Sequence, residues 1–286
     1  MSLKSLANVD RRIWFALIFI FVTVAYYFPM GLPVAVGKYS KTTYDLIESL
    51  EPGDVVLVNY DIQAYGWDEL KGQCLSLIPH VFEQPGVKVI FFSDLDQGPL
   101  FIEETVKKIG SPMAGKTGVP WYDVQGKKYM EDWINIGYYP TGGVSALSAD
   151  FRQNAFQDWY GNDINGFLDD IGVMDAGDIR MVISFDCLGG AGSFIQYWRL
   201  DWDTEMVVGQ IGVSASGSIN SFNVGLIDGL LISTRGAAEY QYLTGYKGMA
   251  LQSMDAFSVI HMFLLAIILI CNIGYWGWER HQTGGI

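Results

Sequence analysis

Two long uncharged apolar segments, one near each end, constrain this 286-residue chain most strongly. Ile13–Met30 reads IWFALIFIFVTVAYYFPM, and no charge occurs from Ile13 to Gly37. Ala256–Trp278 reads AFSVIHMFLLAIILICNIGYWGW, with no charge beyond what His261 can carry. A bilayer-spanning helix needs about 20 apolar residues, so transmembrane helices are expected at residues 13–30 and 256–278. Trp14, Tyr26 and Tyr27 in the first segment and Tyr275, Trp276 and Trp278 in the second are the expected interfacial aromatics. The first apolar run is longer than the roughly 7–15 residues of a signal peptide core, and no A-x-A site follows it. A retained anchor is therefore expected.

Orientation follows from the flanking cations. Lys4, Arg11 and Arg12 precede the first segment and Arg280 follows the second, although Lys38 and Lys41 pull the other way. Residues 1–12 and 279–286 are thus expected in the cytoplasm of a two-pass cell-membrane protein, with 31–255 outside. Charged residues make up 17% of the chain and mean hydropathy is +0.20. That charged fraction is well under the roughly 25% usual in soluble domains. Net charge is −13, and residues 31–255 hold 14 basic and 29 acidic residues, net −15. Such a domain is a poor partner for nucleic acid and is repelled by anionic lipid headgroups. Aromatic residues at 14%, with 33 glycines, exclude a disordered polymer and a coiled coil.

The middle of the chain alternates short apolar runs with helical patterns. Strands are expected at Asp54–Asp61, Val87–Asp94, Asp132–Tyr138, Asp178–Asp186 and Glu205–Val213, because continuous β-branched runs bounded by turns mark buried strands. Helices are expected at Trp67–Phe82, Pro99–Ile109 and Ser193–Trp202. The alternation predicts an α/β fold, a Rossmann-like or flavodoxin-like, mostly parallel layered domain at Thr42–Leu243. Gly110–Lys128 and Tyr139–Asp178 read as irregular excursions. Leu226–Leu243 reads as a core helix or an interfacial amphipathic segment, with Gly236, Ala237 and Ala238 permitting close backbone approach.

Three expected strands end in aspartate: Asp61, Asp94 and Asp186. Open α/β sheets bind ligands at strand carboxyl ends, and oxygen clusters there can hold Mg²⁺ or Ca²⁺. Aspartate at such a position also caps the next helix or turn, and that reading requires no cofactor. Cys187–Ser193 (CLGGAGS) lies where a phosphate-cradling loop would sit. It supplies Gly189, Gly190, Gly192 and Ser193, but Ile195 replaces the third glycine of G-x-G-x-x-G. A tight β–α turn is the better reading of it, with a small anion or polar ligand at the helix N-terminus as the alternative. Cys74 and Cys187 are expected as buried free thiols. Glu103 and Glu104 pair at i,i+4 with Lys107 and Lys108 as surface ion pairs. Arg235 and Glu239 share that spacing within an apolar stretch. His80 and His281 stand alone. His261, inside a span, is expected to hydrogen-bond the first span or a neighbouring subunit. No nucleophile–base set emerges.

The phrases GVKVIFFSDLDQGPLFIEE, KKYMEDWINIGYYPTGG, DWYGND and GLIDGLLISTRGAAEYQYL resemble a group of uncharacterised prokaryotic membrane-anchored proteins. In that group a GAAEY-type segment precedes a C-terminal transmembrane helix. The resemblance implies a membrane-anchored α/β protein and no particular activity. Aromatic richness and two anchors without a catalytic set point to a non-enzymatic structural or scaffold subunit of a membrane assembly. Its expected partners are the lipid bilayer, further copies of itself or other membrane subunits. The alternatives are a ligand- or cation-sensing domain, and a membrane-bound hydrolase or transferase, both using the strand-end cleft.

Overall fold

Six short runs, each rich in residues that fit a buried pleat, assemble into one sheet: β1 (Val55–Asp61), β2 (Lys88–Ser93), β3 (Trp133–Tyr138), β4 (Met181–Asp186), β5 (Glu205–Gln210) and β6 (Gly229–Ile232). The computed structural model describes residues 10–28, 30–112, 122–189 and 191–283. Its chain divides into two units, residues 34–248 and the two ends, 1–33 with 249–286. In the first unit every neighbouring pair of the six strands is parallel, and their order is β3-β2-β1-β4-β5-β6. This is the 3-2-1-4-5-6 order of doubly wound sheets, whose direction of winding reverses between β1 and β4. A flavodoxin-like sheet would run 2-1-3-4-5.

Helices cover both faces of the sheet. Val56, Val58 and Tyr60 of β1 face a core that includes Ile47, Leu77, Val106 and Tyr240. These come from α2 (Lys38–Glu48), α3 (Ala64–Glu83), α4 (Gly98–Ile109) and, counted out of turn for its place on this face, α10 (Ser233–Thr244). Val55 and Leu57 face the opposite core, with Leu147, Phe151, Leu168, Trp198 and Phe222. That layer is built from α5 (Thr141–Ala149), α6 (Phe151–Asn154), α7 (Asn165–Ile171), α8 (residues 191–202, with a π-helical stretch at Ile195–Arg199) and α9 (Ala215–Asn223). Side-chain alternation along each strand produces the two cores.

Several boundaries differ from the sequence expectation. Leu226–Leu243 is not one helix: β6 occupies Gly229–Ile232 and α10 begins at Ser233, whose φ of +53° breaks the chain direction. Residues Gly236–Gln241 are buried, as the core alternative required. Gly236 lies so close to β6 that a Cβ would come within 3.0 Å of the Leu231 carbonyl carbon. Tyr139–Asp178 contains α5, α6 and α7 rather than an irregular excursion, because its apolar residues Val144, Leu147, Phe151 and Leu168 meet the sheet at helical spacing. Within Gly110–Lys128 three short antiparallel strands form at Ser111–Pro112, Tyr122–Val124 and Lys127–Lys128, and residues 113–121 lie outside the described chain.

In the second unit α1 covers Arg11–Tyr27, 17 residues, and α11 covers Met249–Thr283, 35 residues. Trp14 and Phe21 of α1 pack on Phe263 of α11, with ring centroids 6.3 and 5.2 Å apart. The Asp255 carboxylate accepts the Gly31 and Leu32 N–H groups at 2.8 and 3.0 Å, which ties the end of the N-terminal segment to α11. Among the described residues one helical stretch, Met249–Trp276, is long and apolar enough to cross a membrane, and its side chains are mostly exposed. The helix extends beyond the expected 256–278 because ALQSMD before Ala256 contains no helix breaker.

Candidate functional site

Polar residues gather at the carboxyl ends of the central strands. Alternation places Asn59 and Asp61 of β1, Ser184 and Asp186 of β4, and Asp94 just past β2 on the sheet face that carries Val55, Leu57, Ile90 and Val182. Asp61 and Asp186 are register partners, as are Asn59 and Ser184. The Asn59 amide donates to the Ser184 hydroxyl at 3.1 Å, and its oxygen accepts the Asp94 N–H at 3.3 Å. The fold therefore brings the three aspartates expected from sequence to the point where the sheet reverses direction.

All three are buried, at 2%, 8% and 0% exposure for Asp61, Asp94 and Asp186. Asp186 accepts the N–H groups of Leu188 (2.8 Å), Gly189 and Ala191 (2.9 Å). A phosphate bound at this turn would need those same amide groups. The carboxylate of the strand occupies them from within, so the loop is an aspartate-capped β–α turn. Gly190 lies outside the described residues, and Gly192 and Ser193 fall in the first turn of α8. Burial raises the Asp94 carboxyl above its ordinary range; Asn59 opposes the shift and the Asp186 charge adds to it. The Asp94 Oδ1 is buried without a hydrogen-bond partner. Among the described residues no group of three His, Cys, Asp or Glu side chains is arranged to hold a metal ion.

The two cysteines of this unit are also withdrawn from solvent. Cys74 and Cys187 are free and buried. Burial raises both thiols, that of Cys74 strongly, which disfavours the reactive thiolate. The Cys187 Sγ accepts the Gln63 N–H at 3.2 Å, and the Tyr65 hydroxyl donates to the Cys187 carbonyl at 2.9 Å.

Outside this buried stratum exposed acidic residues such as Asp68 and Asp96 alternate with large apolar ones. Tyr65, Leu100, Tyr138, Leu188 and Val213 stand at the carboxyl ends of β1, β2, β3, β4 and β5 in turn, between 43% and 85% exposed. Five of the six strands thus end beside an exposed large apolar side chain.

A cavity of about 380 Å³ opens beside β6, where α2 and α10 both begin. Gly37, Lys38, Ser40, Ser233, Arg235 and Glu239 are among its lining residues. Glu239 is buried; its carboxylate accepts the Gly37 N–H (2.9 Å), the Ser40 hydroxyl (2.8 Å) and the Nε–H of exposed Arg235 (2.9 Å). The i,i+4 pair seen in the sequence thus has a half-buried geometry, and Glu239 closes the N-terminus of α2, which has no side-chain cap of its own.

Other polar contacts escaped the sequence. His80 is not solitary: its ring nitrogens bond the Tyr240 hydroxyl and the Glu48 carboxylate, each at 2.7 Å, and Tyr44 stacks on the ring. Glu104 pairs with Lys108 as expected and also with Lys71. Glu103 instead turns inward to accept from Tyr160 and Asn135, and burial raises its carboxyl. Asp158 of the DWYGND phrase is buried and accepts from Tyr129, Tyr160 and Asn162, so that phrase folds into a structural knot. Of the residues expected at the membrane, Trp14 meets Phe263 and Tyr26 meets Tyr27 edge to face. Tyr275 and Trp276 are exposed on α11, and the Trp278 side chain lies outside the described part. Among the described residues His261 makes no hydrogen bond to α1, the first of the two partners expected for it; its Nδ1 bonds the Phe257 carbonyl of its own helix at 2.7 Å.

No family model, curated protein or solved structure matches the chain.

Proposed function

We propose that this chain is a non-enzymatic subunit of an oligomeric membrane assembly, anchored through both ends and holding an acidic, Rossmann-like α/β domain outside the cytoplasm. The observation that carries the reading is the carboxyl end of the sheet. The amide groups that would cradle a ligand phosphate bind Asp186 instead, while Tyr65, Leu100, Tyr138, Leu188 and Val213 are exposed after the strand ends. A plugged polar crevice with exposed large apolar side chains near it favours a protein partner over a small polar substrate. The raised thiols, and the lack among the described residues of a metal-holding group at the buried aspartates, support a non-catalytic role. The exposed apolar surface of α11 needs lipid or protein cover. The 17 residues of α1 pack on that helix and extend to Tyr27, which supports a second pass. Lys4, Arg11, Arg12 and Arg280 favour cytoplasmic ends.

Mass measurement of the full chain in mild detergent tests the reading. Particles of two or more copies, or copies joined to other membrane proteins, are expected at low micromolar concentration; a strictly monomeric particle overturns it. A second reading rests on the cavity beside β6, where Lys38, Arg235 and the N-terminus of α10 favour a small anion and the Glu239 carboxylate, which already closes α2, opposes it. A thermal shift with inorganic phosphate or a carboxylate that is lost in Arg235→Gln would support it.

A further inference from the structure

We propose that α11 pairs with α11 of a second copy of this chain, along a seam on the side opposite α1. The inference rests on the oligomeric reading above and adds to it the surface used and the identity of the partner.

Phe263 meets Trp14 and Phe21, so it marks the α1 side of the helix. At about 100° per residue, Met254, Ser258, His261, Leu265, Ile268 and Asn272 all lie within about 40° of the opposite direction. Their spacing, 4-3-4-3-4, is that of one helix face, and it suits two helices packed at a shallow left-handed angle. His261, Leu265, Ile268 and Asn272 are exposed.

Two members of this seam are ill suited to lipid. The Asn272 amide donates to the Ile268 carbonyl at 2.9 Å, which uses one of its protons. Its second proton and its oxygen have no bond among the described residues. His261 uses Nδ1 on the Phe257 carbonyl, is exposed, and its Nε2 has no bond among the described residues. Such groups in hydrocarbon favour another helix as neighbour. Two copies inserted the same way carry parallel α11 helices, and a two-fold axis along the membrane normal sets each seam residue against itself. Asn272 is then complementary to its own copy, donor to acceptor in both directions. His261 adds a second polar layer about 16 Å away along the axis. Two polar layers at one fixed spacing admit a single register. An identical helix matches that spacing automatically, whereas an unrelated one matches it only by coincidence.

Cysteine scanning of the full chain in native membranes, on a Cys271→Ser background, tests the pairing. Oxidation is expected to yield a band of twice the monomer mass from His261→Cys, Leu265→Cys, Ile268→Cys and Asn272→Cys. Phe263→Cys, Ile267→Cys and Ile270→Cys, on the α1 side, should give at least fivefold less. Asn272→Leu should lower the dimer fraction in mild detergent at least threefold, and Asn272→Gln should largely preserve it. Cross-linking that is uniform around the helix, strongest on the α1 side, absent altogether or directed to a product of another mass overturns the proposal. If the seam fails while the particle remains oligomeric, the assembly reading stands without this interface. A monomeric particle with no cross-links defeats both.

Discussion

Asp186 carries its carboxylate into the protein interior and binds three backbone N–H groups there. Removing it strands those amides and frees the turn into α8. Asp186→Ala should therefore destabilise the fold by about 2–4 kcal/mol, read as a lower Tm of the full chain in detergent, while Asp186→Asn should lose less. Asp94 behaves oppositely. Its folded carboxyl is raised above the ordinary value of 3.8, so the native state holds its proton more tightly than the unfolded chain. Stability from this group is fully present below that ordinary value and is lost as pH rises through the raised one. Asp94→Asn should flatten that decline and leave the protein as stable or more stable at pH 7. A lower Tm at pH 7 would mean that the ionised carboxylate is itself held by a partner. The sequence made the strand-end aspartates visible. It did not reveal which amides they bind, because that depends on the path of the following turn.

At the scale of the element, the join between β6 and α10 shows what periodicity misses. LLIS runs into TRGAAEY with no Gly or Pro between strand and helix, and the four-residue strand is too short to set its own period. Ser233 makes the join at φ +53°, a conformation that costs a non-glycine residue about 1 kcal/mol or more. The Gln73 side chain steadies it by donating to the Ser233 carbonyl at 3.0 Å. Two glycines hold helices against strands. A Cβ on Gly236 would press on the Leu231 backbone at 3.0–3.1 Å, and one on Gly98 would lie 2.3 Å from the Tyr60 carbonyl oxygen. Gly236→Ala should cost about 1–3 kcal/mol and Gly98→Ala more, measured by thermal unfolding. Equal stability of both variants and wild type would mean that the helices move away at no cost. The five expected strands were legible because each is a continuous buried run between turn signals.

For the whole molecule, acidity and anchoring act together. The segment between the two apolar stretches carries net −15, and much of the apolar surface of α11 away from α1 is exposed. The full chain should stay with the membrane through an alkaline carbonate wash and leave it only in detergent; release by carbonate would count against an inserted anchor. The apolar end segments, the flanking cations and the parallel α/β class were determined by sequence alone, since each depends on local composition or spacing. The 3-2-1-4-5-6 order, the meeting of Asp61 with Asp186 and the capture of the loop amides were decided by tertiary structure. So were the partners of His80. The strand order, the Asp61–Asp186 pairing and the His80 contacts join residues distant in the chain, and the Asp186 contacts depend on a turn that this packing holds. Their physical cause is the sharing of two buried faces by strands whose pairing no local pattern encodes.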